Sequence, residues 1–142
     1  MVPSQNPLFH LAIPVHDLGA AEAFYGEVLG CPRGRSADTW IDFNFFGHQL
    51  VVHLSPEDCT PVRTNHVDGE DVPASHFGAV LSYADWELTA ARLQKAGASF
   101  KIEPTLRHRG EPGEQHIFFV EDPSGNALEF KSMTHPENLF AT

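Results

Sequence analysis

Two stretches of this sequence nearly repeat each other: Phe9-His10-Leu11-Ala12-Ile13-Pro14-Val15 and Ser75-His76-Phe77-Gly78-Ala79-Val80-Leu81. Each has the composition of a β-strand and is followed by an amphipathic helical pattern. His10 and His76 hold the same place in the two stretches, 66 positions apart. Core packing does not explain a polar imidazole at matching positions of a duplicated strand. We therefore expect two half-sites that are brought together at one metal ion.

Length and composition bound the class of protein. A chain of 142 residues predicts a single domain, 1–142. Two cysteines make no disulfide framework, and the start of the chain has no signal-peptide pattern, so we expect a cytoplasmic protein. No apolar run is long enough for a membrane span. The net charge of −10 excludes nucleic acid as a partner, because no surplus of Lys and Arg exists to neutralise phosphates.

Each strand is followed by a helix. In the first helix Asp17 is the expected N-cap, and apolar residues then recur with helical spacing until Gly30. In the second helix Asp85 is the expected N-cap, and the chain leaves the helix at Gly97. The buried faces are predicted to carry Ala21, Phe24, Tyr25, Val28 and Leu29 in the first helix, and Trp86, Ala90 and Leu93 in the second.

Further strand patterns follow each helix. Alternating apolar residues predict strands at 39–46 and 49–55 in the first half, with Gly47-His48 as the turn, and at 99–103, 115–121 and 127–132 in the second half. Polar composition predicts loops at 56–74 and 105–114.

This order predicts an α+β fold of paired βαβββ modules. Module 1 covers about 8–55, a linking loop covers 56–74, and module 2 covers about 75–133. One helix cannot cover both faces of a small sheet. We therefore expect the two sheets to form a cupped, incomplete barrel-like mixed sheet, with the helices outside.

Strand parity selects the residues that face the cup, because side chains alternate between faces. Apolar Phe9, Leu11 and Ile13 should pack on the helices, which turns His10 inward. The same parity turns His76 inward, and it turns Glu129 inward between Leu128 and Phe130. His10, His76 and Glu129 would then form a 2-His-1-carboxylate metal site, which suits Fe(II) and also serves Mn, Ni or Zn.

His53 is a fourth candidate. It lies between Val52 and Leu54, as Glu129 lies between Leu128 and Phe130, and both are on the fourth strand of their module. Internal symmetry therefore pairs His53 with Glu129 and predicts that Val52 and Leu54 are buried. His53 would be either a fourth ligand or an acid/base near the metal, and a hydrogen-bonded histidine without a catalytic role is the alternative.

At these residues the chain resembles the vicinal oxygen chelate superfamily, which includes glyoxalase I, extradiol dioxygenases, fosfomycin-resistance enzymes and bleomycin-resistance proteins. The resemblance covers about 9–132. It is carried by the stretches around His10 and His76, by Phe24-Tyr25-Gly26-Glu27-Val28-Leu29-Gly30, and by Asp122-Pro123-Ser124-Gly125-Asn126-Ala127-Leu128-Glu129-Phe130. It implies a metal held by His10, His76 and Glu129, and a small-molecule substrate.

Within the superfamily the ending and the three ligands resemble extradiol dioxygenases. Those enzymes carry a further histidine, beyond the two ligands, at the start of the fourth strand. His48 falls at that position, and the resemblance implies an acid/base role for it. They usually carry a tyrosine ten residues before the carboxylate ligand, where this chain has Phe119. Glyoxalase I has a carboxylate near the position of His53. Fosfomycin enzymes need a cation-binding loop that is not found here, and bleomycin-resistance proteins lack the ligands.

The sequence thus predicts a metal-dependent enzyme, most like a small extradiol-type dioxygenase whose substrate chelates the metal through two adjacent oxygens. Fe(II) is favoured, and Mn, Ni or Zn is possible. A glyoxalase-like isomerase or lyase and a metal-independent binding or resistance protein are the alternatives. Relatives are commonly dimeric and open sheet edges favour pairing, so we expect a homodimer.

Overall fold

A computed structural model describes residues 6–60, 64–67 and 70–142 of the chain. The fold is mixed α+β, with ten strands and two α-helices in the described residues. The chain divides into two compact units, Met1–Cys59 and Thr60–Thr142. Within the described ranges, no helix has the length and apolar character needed to cross a membrane.

The first unit is one βαβββ module. Its elements are β1 (His10–Val15), α1 (Leu18–Ala21), which continues as a π-helix over Glu22–Val28, β2 (Arg33–Ala37), β3 (Trp40–Phe45) and β4 (His48–Leu54). The strands form one sheet in the order β1-β4-β3-β2. β1 runs parallel to β4, and the other neighbours are antiparallel. A short 3₁₀-helix at Pro56–Asp58 ends the unit.

In the second unit, a hairpin is followed along the chain by a second βαβββ module. Its elements are β5 (Thr64–Val67), β6 (Glu70–Pro73), β7 (Phe77–Val80), α2 (Tyr83–Lys95), β8 (Ser99–Arg107), β9 (Gln115–Glu121), β10 (Ala127–Met133) and a 3₁₀-helix at Pro136–Asn138. The main sheet has the order β7-β10-β9-β8, with β7 parallel to β10. First, fourth, third and second strands are therefore neighbours in the same order in both units, which confirms the paired βαβββ modules.

The first helix begins and ends where the sequence predicts. The Asp17 carboxylate accepts a hydrogen bond from Ala20 N at 2.7 Å, and Gly30 adopts a positive φ of 74°. Between them most of the helix is π-helical, with Leu29 N–H donating to Phe24 O, five residues back. The predicted apolar face is buried at Ala21, Phe24, Tyr25 and Leu29, whereas Val28 is half-buried.

The second helix begins three residues earlier than predicted. Ser82 is its N-cap, because the Ser82 hydroxyl accepts from Asp85 N at 3.2 Å. The prediction that Asp85 is the cap was wrong. Asp85 instead lies in the first helical turn, where a carboxylate is favoured by the helix dipole. Trp86, Ala90 and Leu93 are buried, as the sequence predicts.

Three connections differ from their predictions. The segment 56–74 is not all loop, since it contains the β5–β6 hairpin, and β8 extends to Arg107 into the predicted loop 105–114. The turn between β3 and β4 is Phe46-Gly47, with φ of 50° and 90°, so His48 already belongs to β4. Two successive residues of positive φ are typical of a tight two-residue hairpin turn.

Within the strands, the apolar residues that alternate along the chain are buried as predicted, whereas some apolar residues at the strand ends are exposed. Ile13, Ile41, Phe43, Leu50 and Val52 are buried in the first unit, and Phe118, Leu128 and Phe130 are buried in the second. Phe9 precedes β1 and is 63% exposed, and Leu54 at the end of β4 is 40% exposed. The predictions that Phe9 and Leu54 pack under the helices were therefore wrong, since Phe9 lies just outside β1 and Leu54 is the last residue of β4.

Candidate metal site

His76 is oriented by the hairpin that precedes it. Its Nδ1 lies 2.8 Å from Pro73 O, and a carbonyl oxygen can only accept, so Nδ1 carries the proton. Nε2 therefore has a free lone pair. Nε2 lies 3.8 Å from Glu129 Oε1. A carbonyl that fixes the tautomer of a histidine in this way is typical of metal-binding histidines.

Glu129 is the carboxylate that faces His76. It lies on β10, and its side chain is only 12% exposed. Oε1 is 3.2 Å from Lys131 Nζ as well as 3.8 Å from His76 Nε2, so the same carboxylate oxygen lies near both side chains. Two ligand atoms that bind a common ion at about 2.0–2.2 Å stand roughly 3.0–3.6 Å apart. The separation of His76 Nε2 and Glu129 Oε1 therefore needs only a small adjustment to hold a metal.

An apolar wall adjoins this pair at Phe119. Val72 from the hairpin, Ile102, Ile117 and Phe119 form a buried cluster, and Phe119 lies opposite Glu129 in the β9–β10 ladder. The ring of Phe119 meets the His76 imidazole edge to face, with centroids 5.0 Å apart. This wall lowers the local polarity around the imidazole and the carboxylate, which strengthens their interactions with a cation.

Gly78 lets β7 approach β10 at the position of Glu129. The two residues are partners in the parallel ladder. A Cβ built at Gly78 overlaps the carbonyl oxygen of Glu129 and lies 2.6 Å from its carbonyl carbon. Only glycine fits at this position. Gly78 follows His76 by two residues, so its close approach to Glu129 keeps the Glu129 backbone near the start of β7.

His10 is oriented in a comparable way within the first unit. Its Nδ1 lies 2.9 Å from Gln49 Oε1, the amide oxygen, which leaves Nε2 with a lone pair. The amide nitrogen of Gln49 donates to Asp42 Oδ2 at 3.5 Å, which is consistent with this orientation of the amide. His10 is exposed at the start of β1.

His48 and His53 lie at opposite ends of β4. His48 Nδ1 accepts a hydrogen bond from Phe9 N at 2.9 Å, so only Nε2 can donate or exchange a proton. His53 is exposed, and its ladder partners are Pro14 in β1 and Trp40 in β3.

The ladder registers correct the symmetry used for His53. In the second unit Gly78 pairs with Glu129, and the equivalent residue of the first unit, Ala12, pairs with Val51. Val51, not His53, therefore occupies the position that corresponds to Glu129. His53 is two residues farther along the same face. The predicted role of His53 consequently loses its symmetry argument, although its parity is unchanged.

The described residues thus bring together two of the three predicted ligands, His76 and Glu129, in the second unit, and His10 belongs to the first. Among those residues no group of three or more His, Cys, Asp or Glu side chains is gathered for a metal ion. In the second unit His76 and Glu129 still suit a metal ion, because Nδ1 of His76 is fixed by Pro73 O and its Nε2 is available.

Sequence reasoning missed several residues that build this site. Lys131 was detectable, since it lies two positions after Glu129 and so shares its face. Gln49 follows from the same parity in β4. The contribution of Pro73 and Val72 had no signal, because their strand, β6, lies in a polar segment that predicted a loop.

Comparison with known proteins identifies the class to which this fold and site belong. A family model described as the glyoxalase/bleomycin resistance protein/dioxygenase superfamily matches residues 8–130. The chain belongs to this superfamily, whose members commonly bind divalent metals and small molecules. No curated protein matches the chain.

Solved structures agree on the fold. A glyoxalase/bleomycin resistance protein/dioxygenase from Alicyclobacillus acidocaldarius is 34% identical, with 95% of this chain and 97% of that chain covered and a TM-score of 0.76. The fosfomycin resistance protein FosX from Listeria monocytogenes is 18% identical, covering 96% and 100%, with a TM-score of 0.71. Lactoylglutathione lyase from Agrobacterium tumefaciens is 19% identical, covering 99% and 100%, with a TM-score of 0.63. The last two similarities establish the fold alone.

Proposed function

We propose that this protein is a metal-dependent enzyme, most like a small extradiol-type dioxygenase, acting on a small molecule with two adjacent oxygens. The observation that carries the proposal is the pair formed by His76 Nε2 and Glu129 Oε1, 3.8 Å apart on an apolar wall. Neither a surface role nor a packing role requires a carbonyl to fix the His76 tautomer beside a largely buried carboxylate.

His10 is the proposed third ligand. Its Nδ1 is held by Gln49, as that of His76 is held by Pro73, so both imidazoles offer Nε2. Two histidines and one carboxylate favour Fe(II), and the same ligands also accept Mn, Ni or Zn. When bound, such an ion lowers the pKa of a coordinated hydroxyl group and stabilises developing negative charge.

His48 and His53 are the proposed acid/base groups. His48 would act only through Nε2, because Phe9 N–H occupies Nδ1. His53 is exposed and able to exchange protons with solvent. An imidazole suits both roles because it can accept a proton as well as donate one. The apolar wall around Phe119 would exclude water from the bound substrate.

One observation favours a glyoxalase-like isomerase or lyase as the second candidate. Phe119 is 1% exposed and lies directly opposite Glu129, at the position where extradiol relatives usually carry a tyrosine. Without that hydroxyl, a hydrogen bond to the substrate is lost. Turnover that requires both Fe(II) and dioxygen selects the dioxygenase, and metal-dependent turnover without dioxygen selects the isomerase or lyase. Tight binding of an aromatic ligand without metal would select a binding protein instead.

Metal titration tests the site directly. Protein purified without oxygen is titrated with Fe(II), Mn(II), Ni(II) and Zn(II), and His10→Ala, His76→Ala and Glu129→Gln should each weaken binding by about tenfold or more. His135→Ala is the matched control, since His135 Nδ1 lies 3.7 Å from Glu137 Oε1 on an exposed surface. If the three variants bind metal as the control does, the proposed site is wrong.

We also propose that the enzyme is a cytoplasmic homodimer. Two exposed apolar residues just before β1 support association: Leu8 is 71% exposed and Phe9 is 63% exposed. β1 is also an edge strand of its sheet, so its outer side can pair with another chain. Light scattering should give twice the chain mass of 15.7 kDa. A monomeric mass at micromolar concentration would contradict the dimer.

A further inference from the structure

Lys131 is a cation inside the candidate site. Its Nζ lies 3.2 Å from Glu129 Oε1, the same oxygen that faces His76, and its side chain is only 29% exposed. In the ladder Lys131 lies between Ile117 of β9 and Val80 of β7, so its neighbours across the sheet are apolar.

Glu129 is the carboxylate that the described residues place within ion-pair distance of Lys131. An ammonium group that is largely removed from water needs an anionic partner. A dication bound by His76 and Glu129 would draw on the same oxygen and repel the ammonium. Lys131 would then lose its counter-charge while remaining on the apolar face beside the metal.

We propose that Lys131 recognises an anionic group, such as a carboxylate, on the substrate, and that in the metal-free protein it holds Glu129 in its place. This inference rests on the proposed metal site. It narrows the substrate class to molecules that combine two adjacent chelating oxygens with a separate negative charge. The fixed position of Lys131, two residues after Glu129 on the same strand face, sets that charge close to the chelating oxygens.

The first measurement is Mn(II) binding by calorimetry. Lys131→Met removes the competing ammonium and keeps an unbranched apolar chain, so it should bind Mn(II) about three- to tenfold more tightly than the unaltered protein. Lys101→Met is the matched control, because Lys101 Nζ is also 3.2 Å from a glutamate, Glu121, but on a half-exposed surface. It should change Mn(II) affinity by less than about twofold.

The second measurement uses two ligands that differ by one carboxylate. The Mn(II)-loaded protein should bind 3,4-dihydroxybenzoate about tenfold more tightly than catechol, and Lys131→Met should abolish this preference. Lys131→Gln, checked by thermal unfolding, repeats the test should the Met variant be unstable. A preference that survives both substitutions, or that is absent from the unaltered protein, overturns the inference. Failure of the unaltered protein to bind Mn(II) at all would instead refute the proposed metal site.

Discussion

Replacing Gly78 by alanine should damage both the fold and the proposed metal site. The added Cβ would overlap the carbonyl oxygen of Glu129 and lie 2.6 Å from its carbonyl carbon. Since carbon atoms in contact need about 3.5 Å, β7 and β10 must separate by at least about 1 Å at this point, and the overlap with the oxygen requires more. Both atoms belong to backbone, so no side-chain rotation can relieve the contact.

The cost follows from comparable overpacking. Forcing an atom into a packed interior costs about 1–3 kcal/mol, and here a ladder of hydrogen bonds is also strained, so we expect about 3 kcal/mol. Unfolding entropy of about 2.1 cal/mol/K per residue makes this roughly 10 °C in Tm for a chain of 142 residues. Because Glu129 moves with β10, Mn(II) affinity should fall as well.

Gly113→Ala is the control for this experiment. A Cβ built at Gly113 meets nothing within 4 Å, and the residue is not among those of positive φ. Its Tm should stay within about 2 °C of the unaltered protein, since open-site substitutions change stability by less than about 0.5 kcal/mol. The measurement is thermal unfolding followed by circular dichroism. Equal Tm values for Gly78→Ala and Gly113→Ala would refute the close approach of β7 to Glu129.

Two further predictions concern stability. Asp122 is buried in the β9–β10 turn and accepts hydrogen bonds from the backbone N–H groups of Ser124 and Asn126. Asp122→Ala should therefore lower the free energy of unfolding, measured in urea, by about 2–4 kcal/mol. An equal loss in the control Asp38→Ala, at an exposed position, would contradict this. Burial raises the pKa of the Cys31 thiol from its ordinary 9.0 to about 11. As pH rises, the thiol of the unfolded chain therefore ionises before the buried thiol of the folded protein. The free energy of unfolding is unaffected below pH 9 and falls between pH 9 and 11, by up to about 2–3 kcal/mol. Cys31→Ala should remove that part of the pH dependence, and an unchanged slope would show that Cys31 does not cause it.

The duplicated module could be predicted because its signals are local. Strand parity, the Asp17 cap and the glycines that end both helices depend on neighbouring residues, and the structure confirms them. Ser82 and Asp85 are both cap-forming residue types three positions apart, so composition could not decide between them. The π-helix had no such signal, because its apolar residues keep the spacing of an ordinary α-helix.

The register of the sheets could not be predicted from the same pattern. A shift by two residues leaves every side chain on its original face, so parity alone cannot show whether His53 and Glu129 correspond. The ladder partners decide it, and they select Val51. The hairpin that orients His76 was missed for a different reason. The first strand of that hairpin, β5 (Thr64–Val67), is exposed along its whole length, so no alternating apolar pattern marks it in the sequence.

The parallel pairing of first and fourth strands has a consequence for the order of folding. In each module the antiparallel partners are near neighbours along the chain, whereas β1 must find β4 across the rest of its module; the side chains of His10 and Gln49 are 39 residues apart. Contacts of long sequence separation close late because the loop entropy has to be overcome first. We expect β1 and β7 to dock last, so that His10 meets Gln49, and His76 meets Glu129, only at the end of folding. Nascent chains would then offer a metal ion only scattered single ligands, and loading with the correct ion would be deferred until the polypeptide is complete.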